Sequence, residues 1–134
     1  MSDRQRSLAK SIFRRSVLKQ QKFREITALL APLEGKTCLD IGADNGIISL
    51  LLRERGGRWY SADLDEKTVQ SIQSLVDTDV YQIDGLRTPF TDEHFDLVVI
   101  VDFLEHIETD KEFVLELHRI LRPGANLIVN VPLR

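Results

Sequence analysis

A single cysteine, Cys38, in 134 residues excludes an internal disulfide and, standing alone, a thiolate metal centre. It lies inside an apolar run, where a thiol packs as a small hydrophobe, so a buried and inert cysteine is expected rather than a nucleophile. No apolar stretch approaches the roughly 20 residues that a bilayer-crossing helix requires. Behind Met1-Ser-Asp-Arg-Gln-Arg there is no apolar region with a cleavage site, so no secretory signal is read and a cytoplasmic location is the expectation. Repeats, low-complexity segments and linkers are missing as well, which points to one domain, since domains run from about 50 to 250 residues.

A large charge excess is also lacking, but the net charge of -3 hides an asymmetry. Residues 1–24 hold eight Lys or Arg against one Asp, and the remainder is correspondingly acidic. The basic segment is either a solvated face or an attractor for an anionic substrate, nucleic acid or anionic lipid. Leu8, Ile12, Phe13, Val17, Phe23, Ile26, Leu29 and Leu30 recur at helical spacing until Pro32, which predicts one N-terminal helix with at most one break.

Beyond Pro32, short apolar runs alternate with helical stripes. Strands are predicted from Thr37 to Ile41, Arg58 to Asp63, Val80 to Asp84, Leu97 to Val101 and Leu127 to Val131. Between them, a helix from Ile47 to Arg55 ends at Gly56-Gly57. A second, capped by Asp65, carries Val69, Ile72, Leu75 and Val76 on its apolar face. A third opens on a capping box of Thr109 and Glu112, bears the stripe Phe113, Val114, Leu117, Ile120 and Leu121, and ends at Pro123-Gly124. Such alternation implies right-handed crossovers and an α/β, doubly wound parallel sheet with helices on both faces. Residues 1–35 are expected to form a helical segment and residues 36–134 the core.

In such a sheet, ligands bind outside the carboxyl ends of the strands. Asp40-Ile-Gly-Ala-Asp-Asn-Gly46 ends the first strand, where Gly42 and Gly46 let the backbone turn sharply beside a ligand. Asp63 ends the second with a carboxylate suited to both hydroxyls of a ribose. Asp84-Gly85 ends the third and offers a carboxylate and a backbone N–H to an adenine. Asp65 reads as a helix cap and Asp96, before an apolar strand, as structural.

The strings Leu39-Asp-Ile-Gly-Ala-Asp-Asn-Gly46, Ser61-Ala-Asp-Leu-Asp65, Ile83-Asp-Gly-Leu-Arg-Thr-Pro-Phe90, Phe95-Asp-Leu-Val-Val-Ile-Val-Asp-Phe-Leu-Glu-His106 and Leu121-Arg-Pro-Gly-Ala-Asn-Leu-Ile-Val129 resemble, in order and spacing, the successive motifs of class I S-adenosylmethionine-dependent methyltransferases of the methyltransferase type 11 kind. The resemblance implies a Rossmann-like sheet of strand order 3-2-1-4-5 and S-adenosyl-L-methionine as cofactor. By the same resemblance, Asp40 and the turn of Gly42, Ala43, Asp44 and Gly46 hold its methionine part, Asp63 and Leu64 lie at the ribose, Asp84 and Gly85 face adenine, and Asp102 lies beside the sulfonium. One departure stands in the turn: Asp44 occupies the place of the family's middle glycine.

Asp102, Glu105 and His106 make a D-x-x-E-H cluster with three readings: a divalent-metal site, for which no further ligand is identifiable, a general base, or satisfied structural polar residues. The last is favoured, so no metal is expected and these three are only weak catalytic candidates. A nicotinamide oxidoreductase would need glycines at Asp44 and Ile47. The competing reading is a non-catalytic nucleotide-binding or partner-binding module on the same fold. A small-molecule acceptor is expected, with nucleic acid and protein acceptors open. Family members continue past the fifth strand with a further helix and two strands, so truncation, or a partner chain or second copy covering Leu127 to Val131, is the corresponding expectation.

Overall fold

The basic N-terminal segment folds as two helices, α1 (Asp3–Arg14) and α2 (Val17–Ala28), in a computed structural model that describes residues 3–43, 46–76, 78–101 and 110–130. The break falls at Ser16, whose extended backbone and side-chain oxygen, accepting from Lys19 N at 3.3 Å, cap α2. A serine that bonds its own neighbouring backbone competes with a continued helix, so the helical spacing is broken once, within the one break that the spacing allowed. Phe13 and Phe23 then pack edge to face, ring centroids 6.0 Å apart, and hold α1 on α2.

Five strands follow: β1 (Thr37–Ile41), β2 (Arg58–Asp63), β3 (Val80–Gln82), β4 (Phe95–Val101) and β5 (Leu121–Asn130). All neighbours are parallel, in the order β3-β2-β1-β4-β5 expected from the resemblance. β1 and β4 lie inside with both faces covered, which is why Leu39, Ile41 and Val98 to Ile100 are apolar without alternation and closed to solvent. The crossovers are α3 (Ile47–Glu54), α4 (Glu66–Val76) and α5 (Asp110–Ile120). Ile26 of α2, Ile47 and Leu52 of α3 and Ile72 of α4 pack on one face with Cys38 and Val99. Phe113, Leu117 and Ile120 of α5 pack on the other with Leu39, Phe95 and Ile100. Burial, and then the nearby Asp96, push the Cys38 thiol up to about 12, so it is an inert core residue, as its apolar setting predicts.

Several boundaries differ from the sequence expectation, most of all at β3, α5 and β5, while β4 starts at Phe95 and α3 ends at Glu54. β3 stops at Gln82, because the Asp84 carboxylate accepts from Leu86 N and Arg87 N and turns the chain two residues early. α5 ends at Ile120 rather than at Pro123, because Glu93 N and His94 N bond the carbonyls of Arg119 and Ile120. Leu121 therefore already pairs with Phe95, Pro123 and Gly124 sit in a bulge, and pairing resumes at Asn126 opposite Leu97. Val114, expected in the apolar stripe, is half exposed while Glu116 is buried. The expected cap at Thr109 lies outside the described residues. Asp65 caps α4 by accepting from Thr68 N at 3.1 Å, and Asp96 ties Thr37 N to the Arg122 guanidinium, both as expected. No helix among the described residues is long and apolar enough to cross a membrane.

Candidate functional site

Strand register decides which residues meet at the carboxyl edge of the sheet. Ile41 pairs with Ala62, and the Gly42 N–H donates to Ala62 O at 3.1 Å, carrying the β1–β2 ladder one step further. Asp63 follows and pairs with Gln82, and the Ile83 N–H donates to Asp63 O at 2.9 Å before the chain reaches Asp84. Gly42 and Asp63 thus lie level at the ends of adjacent strands, and Asp84 follows two residues past the end of β3 at the same edge. On the other side of β1, Ile41 pairs with Ile100, so β4 ends with Val101 at the same edge. Asp102, Glu105 and His106 come next in the chain and, with Asp44, lie outside the described residues.

The turn after β1 requires its glycines. Gly42 and Gly46 have φ of +83° and +96°, the left-handed region that side chains disfavour. The Gly46 N–H donates to Ala43 O at 3.2 Å, and Gly46 is the N-cap of α3. A Cβ at Gly46 would lie 2.8 Å from the Cα of Ile72, so the missing side chain is also what lets α3 start against α4. Ala43 packs beneath this turn, almost fully buried.

Asp40, which the resemblance gives to the methionine part of a cofactor, lies in β1 just below the glycine turn. Its side chain has no exposed surface. Oδ1 accepts from the Ser49 hydroxyl and Oδ2 from the Ser61 hydroxyl, each at 2.7 Å, with Arg53 Nη1 at 3.6 Å from Oδ2. Side chains on a strand alternate between faces, and Asp40 shares its face with Cys38, turned under α3. Burial pushes the Asp40 carboxyl up and the Arg53 guanidinium down, against their mutual attraction and the two serine bonds. In this geometry Asp40 fastens β1, β2 and α3 to one another below the turn.

The other two carboxylates are more open to solvent than Asp40. Asp63 is half buried and accepts from Asp65 N at 3.1 Å through Oδ1. Asp84 is exposed, and the N–H groups of Arg87 and Leu86 hold its carboxyl below the ordinary range. Its loop is pinned to α5 by Glu116, which accepts from Thr88 N at 2.7 Å, the Thr88 hydroxyl at 2.6 Å and Arg119 at 2.8 and 2.6 Å. Burial alone would raise the Glu116 carboxyl, but Arg119 and Thr88 bring it down to about 2. Leu64 is half buried at the β2 end, where its carbonyl accepts from Gln82 Nε2, and Gly85 is buried at the β3 end.

The edge therefore brings together Gly42, Ala43, Gly46, Asp63, Leu64, Asp84 and Gly85, with Asp40 beneath them. Ser49, Arg53, Ser61 and Glu116 were not found by sequence reasoning. Ser49 and Arg53 stand one helical turn apart, and that spacing was the available signal. A cleft of about 240 Å³ lies at the opposite edge of the sheet, among Leu30, Pro32, Lys36, Arg122 and Pro123, and includes none of the candidate residues.

Residues 39–129 match the methyltransferase domain family. Over 108 residues the chain is 29% identical to a ubiquinone biosynthesis O-methyltransferase of Pseudomonas paraeruginosa, covering 75% of this chain and 46% of that protein. Over 109 residues it is 29% identical to the ubiquinone/menaquinone biosynthesis C-methyltransferase UbiE of a Ruegeria species, covering 75% and 44%. The chain thus spans about half the length of these curated relatives. A crystal structure of a SAM-dependent methyltransferase from Aquifex aeolicus superposes with a TM-score of 0.75 at 20% identity, covering 92% of this chain and 71% of that one, a likeness of fold.

Proposed function

The chain belongs to the methyltransferase domain family of S-adenosylmethionine-dependent enzymes, and from that premise we propose that it binds S-adenosylmethionine across the ends of β1, β2 and β3 and passes the methyl group to a small-molecule acceptor. The observation that carries this reading is the alignment of Gly42, Asp63 and Asp84 at one sheet edge. The donor set suits an adenosyl sulfonium: two carboxylates accept hydrogen bonds from hydroxyl and amino groups and favour a cation, while a glycine turn admits a backbone approach.

In this reading Asp63, with Leu64 beside it, takes the ribose hydroxyls. Asp84 and the backbone at Gly85 take the adenine edge, and the turn of Gly42, Ala43, Asp44 and Gly46 takes the methionine part. Asp40 keeps that turn in place without touching the ligand, and Asp102, which follows Val101, is assigned beside the sulfonium. The bound cofactor supplies a methyl group already activated by positive charge. The chain then has to bind, orient and exclude water, and near-attack positioning alone supplies about 7 to 11 kcal/mol. A carboxylate near the sulfonium stabilises the charged ground state, so its role is binding rather than acceleration.

Support for the acceptor class comes from the two curated relatives, both named for quinone biosynthesis, one as an O- and one as a C-methyltransferase. Titration calorimetry with S-adenosylmethionine, S-adenosylhomocysteine and NAD tests the cofactor. The adenosyl compounds are expected to bind with a Kd of about 1 μM or tighter and NAD not to bind. Heat from NAD alone, or from none of the three, would overturn the reading.

A further inference from the structure

From the corner between α1 and α2 we infer a second binding surface, one that docks the chain on an anionic lipid bilayer. Ile12, Val17 and Leu18 are 53%, 72% and 79% exposed, within seven residues that also include Arg14 and Arg15. Large aliphatic side chains so open to water, interleaved with cations, match the pattern of helices that lie in a membrane interface, apolar groups sunk among the acyl chains and cations at the phosphates. α1 itself is strongly amphipathic and buries none of its residues fully.

The cations divide by role. Arg6 and Lys10 are committed to the protein body, Arg6 Nε donating to Leu75 O at 3.1 Å and Lys10 pairing with Glu54 at 2.7 Å. Arg4, Arg14, Arg15 and Arg24 make no side-chain ion pair with the described residues. At about 100° per residue, Arg4, Leu8 and Ile12 share one side of the α1 axis, and Ala9, Phe13 and Arg6 lie on another. Leu8, 62% exposed, extends the apolar strip along α1.

The corner is held in shape. Ser16 caps α2, and Gln20 Nε2 donates to the carbonyls of Phe13 and Arg14, fixing the end of α1 against the start of α2. Charge selects the occupant. A second copy would bring eight cations and one acid against the same set, which opposes self-association through this surface. Single-stranded nucleic acid is held on exposed aromatic rings, whereas Phe13 and Phe23 pack edge to face against each other here and the open side chains are aliphatic. An anionic bilayer matches both the cations and the aliphatics. This inference does not rest on methyl transfer.

Co-sedimentation of the chain with vesicles tests it, using phosphatidylcholine containing phosphatidylglycerol against phosphatidylcholine alone. The chain is expected to sediment with the anionic vesicles, less with the neutral ones, and less as salt rises. Val17→Ser with Leu18→Ser should weaken that partition at least about tenfold. Arg14→Gln with Arg15→Gln should also weaken it and flatten its salt dependence. Because these side chains lie outside the core, both double variants should keep the parent's circular dichroism and thermal midpoint. No sedimentation with anionic vesicles, or unchanged sedimentation of both folded variants, would overturn the inference. So would a dimer or an RNA complex broken by the Val17 and Leu18 changes in the absence of vesicle binding.

Discussion

Asp40 and Asp63 end neighbouring strands, and the difference between their surroundings decides what each substitution does. Asp40→Ala strands Arg53 in the buried layer beneath the turn and should cost about 3 kcal/mol in a urea unfolding curve. Removing the cation too, as Asp40→Ala with Arg53→Met, should recover part of that loss, because the uncompensated charge goes with it. Asp63→Ala should change stability by less than about 1 kcal/mol, since the residue is half exposed, yet weaken S-adenosylmethionine binding at least about tenfold. Equal stability losses for the two would contradict their placement. Both aspartates were legible as strand-end carboxylates. What the sequence withheld was which face Asp40 takes and the two serines and arginine that receive it, because those partners come from α3 and β2 and only register brings them together.

His94 gives the pH counterpart. Burial, followed by the Arg122 and Arg58 charges, lowers its pKa, and Nε2 is enclosed without a partner among the described residues. A depressed folded-state value means the unfolded chain takes the proton first. Its stabilising contribution is therefore complete above the ordinary value of about 6.5 and is lost as pH falls below it. Urea midpoints between about pH 7 and pH 5 should decline in the parent and decline less in His94→Gln. An identical slope would sink this assignment.

At the scale of elements, what matters is how turns are fastened to helices. Gly46→Ala must place a Cβ 2.8 Å from the Ile72 Cα at a φ of +96°, so α3 and α4 have to separate. The expected cost is about 3 kcal/mol, read as a lower thermal midpoint together with weaker cofactor binding. Glu116→Gln tests the other fastening. It keeps the side chain's volume but weakens four charge-assisted bonds to Thr88 and Arg119, at a cost of about 2 kcal/mol. Because the Asp84–Gly85 loop leans on that clamp, cofactor affinity should fall with it. The Glu116 contribution is present above the ordinary glutamate range and disappears as pH falls toward about 2, so the parent and Glu116→Gln curves should converge in strong acid. Strands, crossovers and the glycine turn were legible here because apolar runs and left-handed backbone have local signatures. The ends of β3 and α5 were not, because they are set by bonds from Asp84, Glu93 and His94 that end an element earlier than its apolar pattern does.

For the molecule as a whole, the two sheet edges are unequal. β3 is three residues long and half polar in setting, the kind of short edge that resists pairing with another chain. β5 is ten residues long, pairs with β4 alone among the described residues, and leaves Leu127 and Val129 each 42% exposed. A long edge with apolar side chains is a template for a further strand, so these 134 residues, studied on their own, should associate with one another as their concentration rises. Light scattering should show a mass that grows with concentration. Leu127→Lys with Val129→Lys should return it to the monomer mass while leaving the thermal midpoint nearly unchanged, because neither side chain is in the core. The Val17 and Leu18 changes at the opposite end of the sequence should not alter it. A parent that stays monomeric at all concentrations, or a lysine variant that associates as strongly, would overturn this prediction.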